Sequence, residues 1–435
     1  MKYDISTSSA PKMPNLGRGT EIIKLLLSQC SKDMHEPLVP MFFPSLAAHV
    51  SGTEFLYPDN TYKELCGMMA QLCGDSGCNK GQLTTIVNAI CRDFRQHDAQ
   101  EEQKLVSWAN EYKCKTKEGK RPERPEAGLF FPYHDQTAAG FLLNAHALEV
   151  NGGFTQYLNM PEVEMADKLC GGHRNVSQII RNVFDQQRTG ALRATADGVT
   201  LSATLRACMT FSGNPDSVRS FYKTELHNGT FGRITFSFVP RRRREGRIPR
   251  QGLYPEEFYQ KLDAYLDRLK TAKGRFTVRP LNKLADKLAE QMAELADLTD
   301  SDSFWGYSKR SIINAWKAGC VLWLLNDQTY THAIGEMVVW LVYRDLWSKG
   351  QVTSYMKDMS EIMQDTQGKT GPKNMLDSLP KSFNESQLEA LRAEMGKSKE
   401  GTKGQLSQWV FRKFITFSAQ TGLYTKTSEY LKGNG

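Results

Sequence analysis

Gly74-Asp75-Ser76-Gly77-Cys78-Asn79-Lys80-Gly81 is the segment whose residue types and spacing most clearly suit chemistry. It follows an apolar run, Cys66–Cys73, and precedes Gly81–Phe94, where Leu83, Ile86, Val87 and Ile90 share one helical face. A glycine-rich turn between a strand and a helix can surround phosphates with backbone N–H groups at a helix N-terminus. Lys80 would add a point charge at the terminal phosphates. The candidate nucleotide contacts are Gly74, Asp75, Ser76, Gly77, Cys78, Asn79, Lys80, Gly81 and Gln82. Two positions depart from the G-x-x-x-x-G-K-[ST] pattern. Asn79 replaces the second glycine, though Asn tolerates a left-handed backbone. Gly81 stands where a Ser/Thr hydroxyl would hold Mg2+, leaving Thr84, Thr85 or water for that task. A Gly-rich turn of any α/β protein is the competing reading.

Three later segments could complete such a site. Phe154–Met160 ends in Pro161-Glu162-Val163-Glu164, placing acids at the end of an apolar strand. Glu164 is the candidate metal ligand, and Glu162 or Glu164 could activate water as a general base. A surface acid pair capping the next helix is the alternative. Leu205–Phe211 ends in Ser212-Gly213-Asn214-Pro215, where Asn214 or Ser212 could hold a water, although the four residues also form an ordinary turn sequence. Gly229-Thr230-Phe231-Gly232-Arg233 leads into the last strand. Arg233 there is either an arginine finger acting on a neighbouring subunit's nucleotide or an ion-paired surface residue. His134-Asp135 could suggest a metal-dependent nuclease, but no further ligands accompany it.

These residues need a scaffold, and the sequence implies one. Strand candidates Cys66–Cys73, Leu129–Tyr133, Phe154–Met160, Leu205–Phe211 and Ile234–Val239 alternate with helical stretches such as Thr137–Leu148. That alternation predicts a three-layer α/β domain around a mainly parallel sheet. A polar insertion, Gln96–Ala127, interrupts it. The expected division is residues 1–45, with a helix near Glu21–Cys30 and a Pro-punctuated loop; 46–240, the α/β core; 241–370, a basic linker and helical bundle; and 371–435, a small terminal unit. In the bundle, Pro255–Ala272 and Pro280–Leu298 have helical periodicity. Phe304–Met359 carries Trp316, Trp323, Trp340 and Trp347 in an apolar centre. A break at Gln367–Lys373 precedes the terminal unit.

Charge and composition narrow the function classes. The 435 residues carry 56 Lys+Arg and 48 Asp+Glu, a net +8, with 40% hydrophobic and 24% charged residues. This is a globular composition and excludes wholesale disorder. Nine cysteines without a Cys-x-x-Cys pair argue against a disulfide framework or a zinc site and favour a reducing cytoplasm. Met1–Pro14 lacks an apolar block, and the Ala318–Leu325 run is too short to span a bilayer. The positive charge is unevenly placed: Arg241–Arg250 holds six arginines and one glutamate. Arg241, Arg242, Arg243, Arg244, Arg247 and Arg250 could neutralise DNA phosphates, or form a solvated linker. In the terminal unit, helical stretches Ser382–Met395 and Lys403–Ser418 precede the strand-like GLYTKTSEYL. The second helix is basic and aromatic, with Lys403, Trp409, Arg412, Lys413 and Phe414. The pattern reads as a winged helix that could enter a major groove through Lys403, Arg412 and Lys413, or as a small unit that mediates protein contacts.

The ordered set GDSGCNKG, YLNMPEVEM, FSGNP and GTFGRITFSFVP resembles a domain-of-unknown-function family of primase–helicase-like P-loop ATPases. That family is carried by gut-bacterial mobile elements and prophages, and the resemblance spans roughly residues 40–365. It implies a RecA-like core followed by a helical segment, related to hexameric replicative helicases. It makes Lys80 the phosphate-binding lysine, Glu164 or Glu162 the Walker B acid and Arg233 a finger. ATP and Mg2+ are the implied cofactors, and a primase is a possible partner. The resulting expectation is a cytoplasmic ATPase that assembles as a ring or filament and acts on single-stranded or forked DNA. The alternative is a degenerate P-loop scaffold that binds DNA or proteins without hydrolysis, motivated by Asn79 and Gly81.

Overall fold

A four-stranded, all-parallel sheet lies at the centre of a mixed α/β chain, in the spatial order Gln156–Met160, Ala207–Gly213, Met69–Cys73, Thr235–Phe238. The computed structural model describes residues 9–114, 122–168, 176–191, 200–222, 229–240, 251–353 and 374–433. Successive side chains of a strand point to opposite faces, and here both faces are buried. Ala70, Leu72, Tyr157 and Cys208 join one core; Met69, Cys73, Leu158, Met160, Met209, Phe211, Phe236 and Phe238 join another. Near-continuous apolar strands are what a parallel sheet covered on both sides requires.

Of the expected strands, Leu129–Tyr133 is the exception: it is a loop. Its backbone groups are taken by side chains before a neighbouring strand can use them. The buried carboxylate of Asp98 accepts from Phe130 N and Phe131 N, both at 2.7 Å. Asn144 accepts from Leu129 N and donates to Leu129 O, and Pro132 has no N–H to give. Only Phe130 O reaches the sheet, accepting from Tyr157 N at 2.7 Å.

The expected loop after Cys30 is instead a helix, His35–Ala47, with Pro40 and Pro44 inside it. Each interior proline removes a backbone donor and crowds the preceding turn. Burial offsets this: every residue from Pro37 to Ala47 is buried. The helix lies across the sheet, and Ser237 Oγ donates to Pro37 O at 2.7 Å.

The helical bundle is built on the sheet and shares its core. The expected segment Phe304–Met359, whose last residues after Thr353 lie outside the described ones, resolves into Asp302–Leu325 and His332–Thr353, separated by a turn in which Asp327 and Gln328 have positive φ. Trp316 and Trp340 are fully buried in the same core as Ala70 and Leu72. Trp347 belongs to the core on the other face, and Trp323 packs at the margin. Residues from Ile22 to Leu346 thus contribute to one apolar cluster, so the 46–240 and 241–370 segments do not have separate cores.

The strand Thr235–Phe238 is at the edge of the sheet, and an exposed edge leaves backbone groups unpaired. His332–Thr353 closes it with side chains. Asp345 Oδ1 accepts from Phe236 N at 2.6 Å, Ser348 Oγ accepts from Phe238 N at 3.1 Å, and Arg344 donates to Phe238 O at 2.8 Å. Asp345 also binds Lys349 Nζ at 2.7 Å and Ser311 Oγ at 2.5 Å. All of these side chains are buried.

The terminal unit has its own core around Phe383, Leu388, Leu406, Trp409 and Ile415. Its order is strand Ser382–Phe383, helix Glu385–Glu394, helix Thr402–Phe411 and a hairpin of Ile415–Ser418 with Leu423–Lys426. The first helix starts later than its sequence suggests because Asn384 caps it, with Gln387 completing the capping box. The second stops at Phe411, well before Ser418. Lys413 at φ 59° lets Phe414 N bond Trp409 O and Lys413 N bond Val410 O, a Schellman ending made without glycine.

Lys317 is a further buried cation. Its ammonium donates to Cys66 O at 3.1 Å and sits over the Tyr57 and Phe184 rings. Burial pushes its pKa down from 10.5 to about 8. Below pH 8 both states hold the proton; between about 8 and 10.5 the unfolded chain holds more, so this group adds stability as pH rises. At about 1.4 kcal/mol per pH unit, the ceiling is roughly 3 kcal/mol. The urea stability of wild type relative to Lys317→Met should therefore climb between pH 8 and 10.5, and a flat difference would refute the assignment. Asp345→Ala, which strands Lys349 and Phe236 N, should cost about 3–5 kcal/mol at neutral pH. A loss below about 1 kcal/mol would show that the edge is not held this way.

Candidate functional site

The Gly74–Gly81 loop leaves the carboxyl end of the central strand Met69–Cys73 and enters the helix Gly81–Ile90, as its sequence implies. Gly213 O accepts from Gly74 N at 3.1 Å, which fixes the first residue of the loop to the neighbouring strand. Gly74 itself is constrained: a Cβ there would come within 2.7 Å of Cys78 Sγ and 2.9 Å of Val239. Gly77 and Asn79 both have positive φ, at 82° and 68°. Asn79 therefore meets the backbone requirement of the glycine it replaces.

Lys80 folds back over the loop. Its ammonium donates to Gly74 O at 2.6 Å and Asp75 O at 3.1 Å, spanning the turn. Ser76 and Gly77 are exposed at its tip, and Asp75 is half-buried. Cys73 and Cys78 flank the lysine. Burial raises both thiols, Cys73 to about 12, against the opposing pull of the Lys80 charge. They stay protonated at neutral pH and do not compete as nucleophiles.

Gln82 turns away from the loop. It is buried, accepts from Ser31 N at 3.1 Å and donates to Ser31 Oγ at 2.9 Å. Its contacts tether the helix to the segment before His35–Ala47. Gly81 opens the helix with free space where a side chain would project. Thr85 donates to Gln251 at 3.2 Å, and Thr84 is half-buried within the first turn.

The acids lie at the same level of the sheet, one strand removed. Cys73 pairs with Gly213 and Met160 with Phe211, so the chain leaving Met160 passes the height at which the loop begins. Two strand spacings put it about 10 Å away. Glu162 and Glu164 are exposed, and Val163 between them is buried under Gly213. Ser212 ties the two strand ends together by donating to Pro161 O. Asn214 accepts from Ser217 N at 2.9 Å, capping the helix Pro215–Tyr222.

Arg233 is elsewhere. It precedes the strand Thr235–Phe238, whose Thr235 pairs with Ala70, so it lies at the amino end of the sheet. A strand's length, about 15 Å, separates it from the loop of its own chain. Its guanidinium pairs with Asp185 at 2.8 Å, donates to Gly229 O at 3.0 Å and lies over the Phe184 ring. A finger role would require that pair to open.

The DNA candidates divide. Arg241, Arg242, Arg243, Arg244, Arg247 and Arg250 lie outside the described residues. Lys403 and Lys413 are exposed at the two ends of Thr402–Phe411. Arg412 is engaged within the fold, pairing with Asp297 at 2.8 Å beside Trp409 Nε1, which donates to Asp297 O. Gly404, Gln405 and Gln408 face a cleft of about 460 Å³ walled by Asp297, Asp300 and Asp302. That flank is acidic; the other carries Lys403, Ser407 and the exposed Phe411.

For phosphates, the loop fits: a lysine, two left-handed positions and a helix start converge at one strand end. For Mg2+ the fit is partial, since Glu164 supplies a carboxylate while Gly81 supplies no hydroxyl. Among the described residues no group of three or more His, Cys, Asp or Glu has a metal-ligating arrangement, and no helix is long and apolar enough to cross a membrane. No protein-family model matches the sequence, and no curated protein matches it.

The loop's backbone can be tested directly. Asn79→Gly should leave stability within about 0.5 kcal/mol. Asn79→Val, which forces a β-branched residue to φ 68°, should cost about 1–2 kcal/mol in urea titration. Equal effects would mean that the loop does not hold the left-handed turn.

Proposed function

We propose that the chain is a nucleotide-binding, RecA-like P-loop protein that acts on DNA, with ATP as the ligand of the Gly74–Gly81 loop. The observation that carries the reading is the position of Lys80. Its ammonium spans the loop carbonyls at the carboxyl end of the central parallel strand, where phosphates of a bound nucleotide would take over its hydrogen bonds. The sheet order supports the same reading: the loop strand has a neighbour on each side, and the acidic strand stands one place further out. Glu162 and Glu164 are exposed there and available for a water or a metal. In this reading Lys80 binds the terminal phosphates, the loop N–H groups bind the remaining phosphate oxygens, and Glu164 or Glu162 orients the attacking water. When bound, Mg2+ would neutralise phosphate charge.

The DNA component rests on the terminal unit. Its strand–helix–helix–hairpin order, with Thr402–Phe411 as the second helix, supports a winged-helix reading, and Lys403 and Lys413 lie on its exposed side. The arginine-rich Arg241–Arg250 segment adds phosphate-binding charge in sequence. Assembly into a ring or filament and a primase partner belong to the same proposal.

Gly81 favours a second reading, a scaffold that binds nucleotide or DNA without turnover, because it brings no hydroxyl to the metal. Calorimetric titration with a non-hydrolysable ATP analogue, with and without Mg2+, separates the two. The ATPase reading expects saturable, Mg2+-dependent binding that weakens at least tenfold in Lys80→Ala, about 1.4 kcal/mol. It also expects DNA-stimulated phosphate release that this variant loses. Metal-independent binding without turnover supports the scaffold, and no binding by folded wild type at millimolar analogue overturns the ATPase reading.

A further inference from the structure

We infer that the cavity between the turn that follows His35–Ala47, the start of Arg92–Cys114 and the segment preceding Gln156–Met160 is a binding site for a small carboxylate with a flat apolar body. It lies at the amino end of the sheet, away from the Gly74–Gly81 loop, and does not depend on the nucleotide reading. The cavity measures about 160 Å³, close to the roughly 150 Å³ that admits a benzene ring in a protein interior.

One wall is aromatic. Phe94, Phe130 and Phe154 line it, with Phe130 at 5.2 Å from Phe94 and 5.0 Å from Phe154, ring centre to ring centre. The wall is fixed in place. Asp98 holds Phe130 N, and His49 stacks on Phe94 at 4.1 Å.

The rim is cationic. Asp93 is shared by His49 at 3.2 Å and Lys270 at 3.1 Å, and these two partners hold its carboxyl well below the usual range despite burial. Lys273, an exposed residue, has a different environment: among the described residues its ammonium meets only neutral oxygens, Ser51 O at 2.6 Å and Ser51 Oγ at 3.0 Å. Its stem passes over Gly52, where a Cβ would stand 3.2 Å from Lys273 Cδ. An ammonium has three donors, so Lys273 keeps one for a ligand. Its charge is not neutralised by any carboxylate among the described residues. Lys270 is bonded to Asp93 and Asp267 and likewise keeps one donor.

Behind the lining lies a polar group with nothing to bond. Thr155 lines the cavity and is 1% exposed, yet its hydroxyl has no hydrogen-bond partner among the described residues. A buried hydroxyl without a partner is costly, and a carboxylate in the cavity would supply the missing acceptor once the Thr155 side chain turns to meet it. An aromatic wall, an unneutralised ammonium at the mouth and an unpartnered hydroxyl together select an anion attached to a ring. A bare inorganic anion would leave the wall uncovered, and a neutral ring would leave the charge unmet.

Benzoate is the probe, with acetate and benzyl alcohol as the charge-only and ring-only controls, titrated into the full chain by calorimetry and by amide NMR. Benzoate should saturate with a Kd below about 1 mM, at least tenfold tighter than either control. Lys273→Met should weaken benzoate at least tenfold. Thr155→Val should weaken it at least threefold while leaving the ligand-free thermal midpoint unchanged or higher, since no protein bond is lost. That last result separates a ligand contact from a structural role. Benzoate binding no better than the controls, or equal binding by wild type and Thr155→Val, would overturn the assignment.

Discussion

The sheet depends on a constraint at its outer strand: a parallel edge has polar backbone groups that must be bonded, and here an α-helix bonds them. Asp345, Ser348 and Arg344, within one turn of each other, take Phe236 N, Phe238 N and Phe238 O. A helix cannot pair with a strand through its own backbone, since its N–H and C=O groups are already used. The side chains must therefore imitate a strand. Two of them are charged, which brings further requirements inward: Lys349 and Ser311 meet Asp345, and Arg344 lies near Glu36 and over Trp347. Burial pulls the Arg344 guanidinium down to about 10. Thus the apolar helix pair, the Pro-containing helix and the sheet form one cooperative body.

This arrangement explains which parts of the fold were legible in the sequence. The central strands were legible because a doubly covered parallel sheet writes itself as short apolar runs, and four of five expected strands are present within a few residues. The fifth failed because Asp98 and Asn144, remote in sequence, claim the backbone of Leu129–Phe131. Proline signalled a loop between Cys30 and Ser45, and that local signal was overridden by burial on the sheet. The overrun of the last basic helix has a similar cause: Lys413 adopts the conformation that glycine normally announces.

The candidate site was legible in part. The loop's strand-to-helix setting and the left-handed Asn79 follow from residue types. The orientation of Gln82 toward Ser31 and the pairing of Arg233 with Asp185 do not, because each is set by a residue distant in the chain. The nearness of the acids to the loop depends on strand order, which a sequence does not state. Neither does it mark the cavity beneath Phe130, whose members come from five separate stretches of chain. Thr155 and Lys273 are unremarkable letters until the fold leaves one without a partner and the other without a counter-charge.

The edge closure also has a consequence in time. Asp345 lies 109 residues after the Phe236 that it bonds. At about 5–20 residues per second, a ribosome needs roughly 5–20 s to make that interval. Throughout it, the edge strand lacks the helix that covers it, and an uncovered strand edge is the surface most prone to pairing with another chain. The arginine-rich stretch Arg241–Arg250 is made immediately after that edge strand. Its like charges would repel another copy of the same chain during the interval in which the edge has no cover.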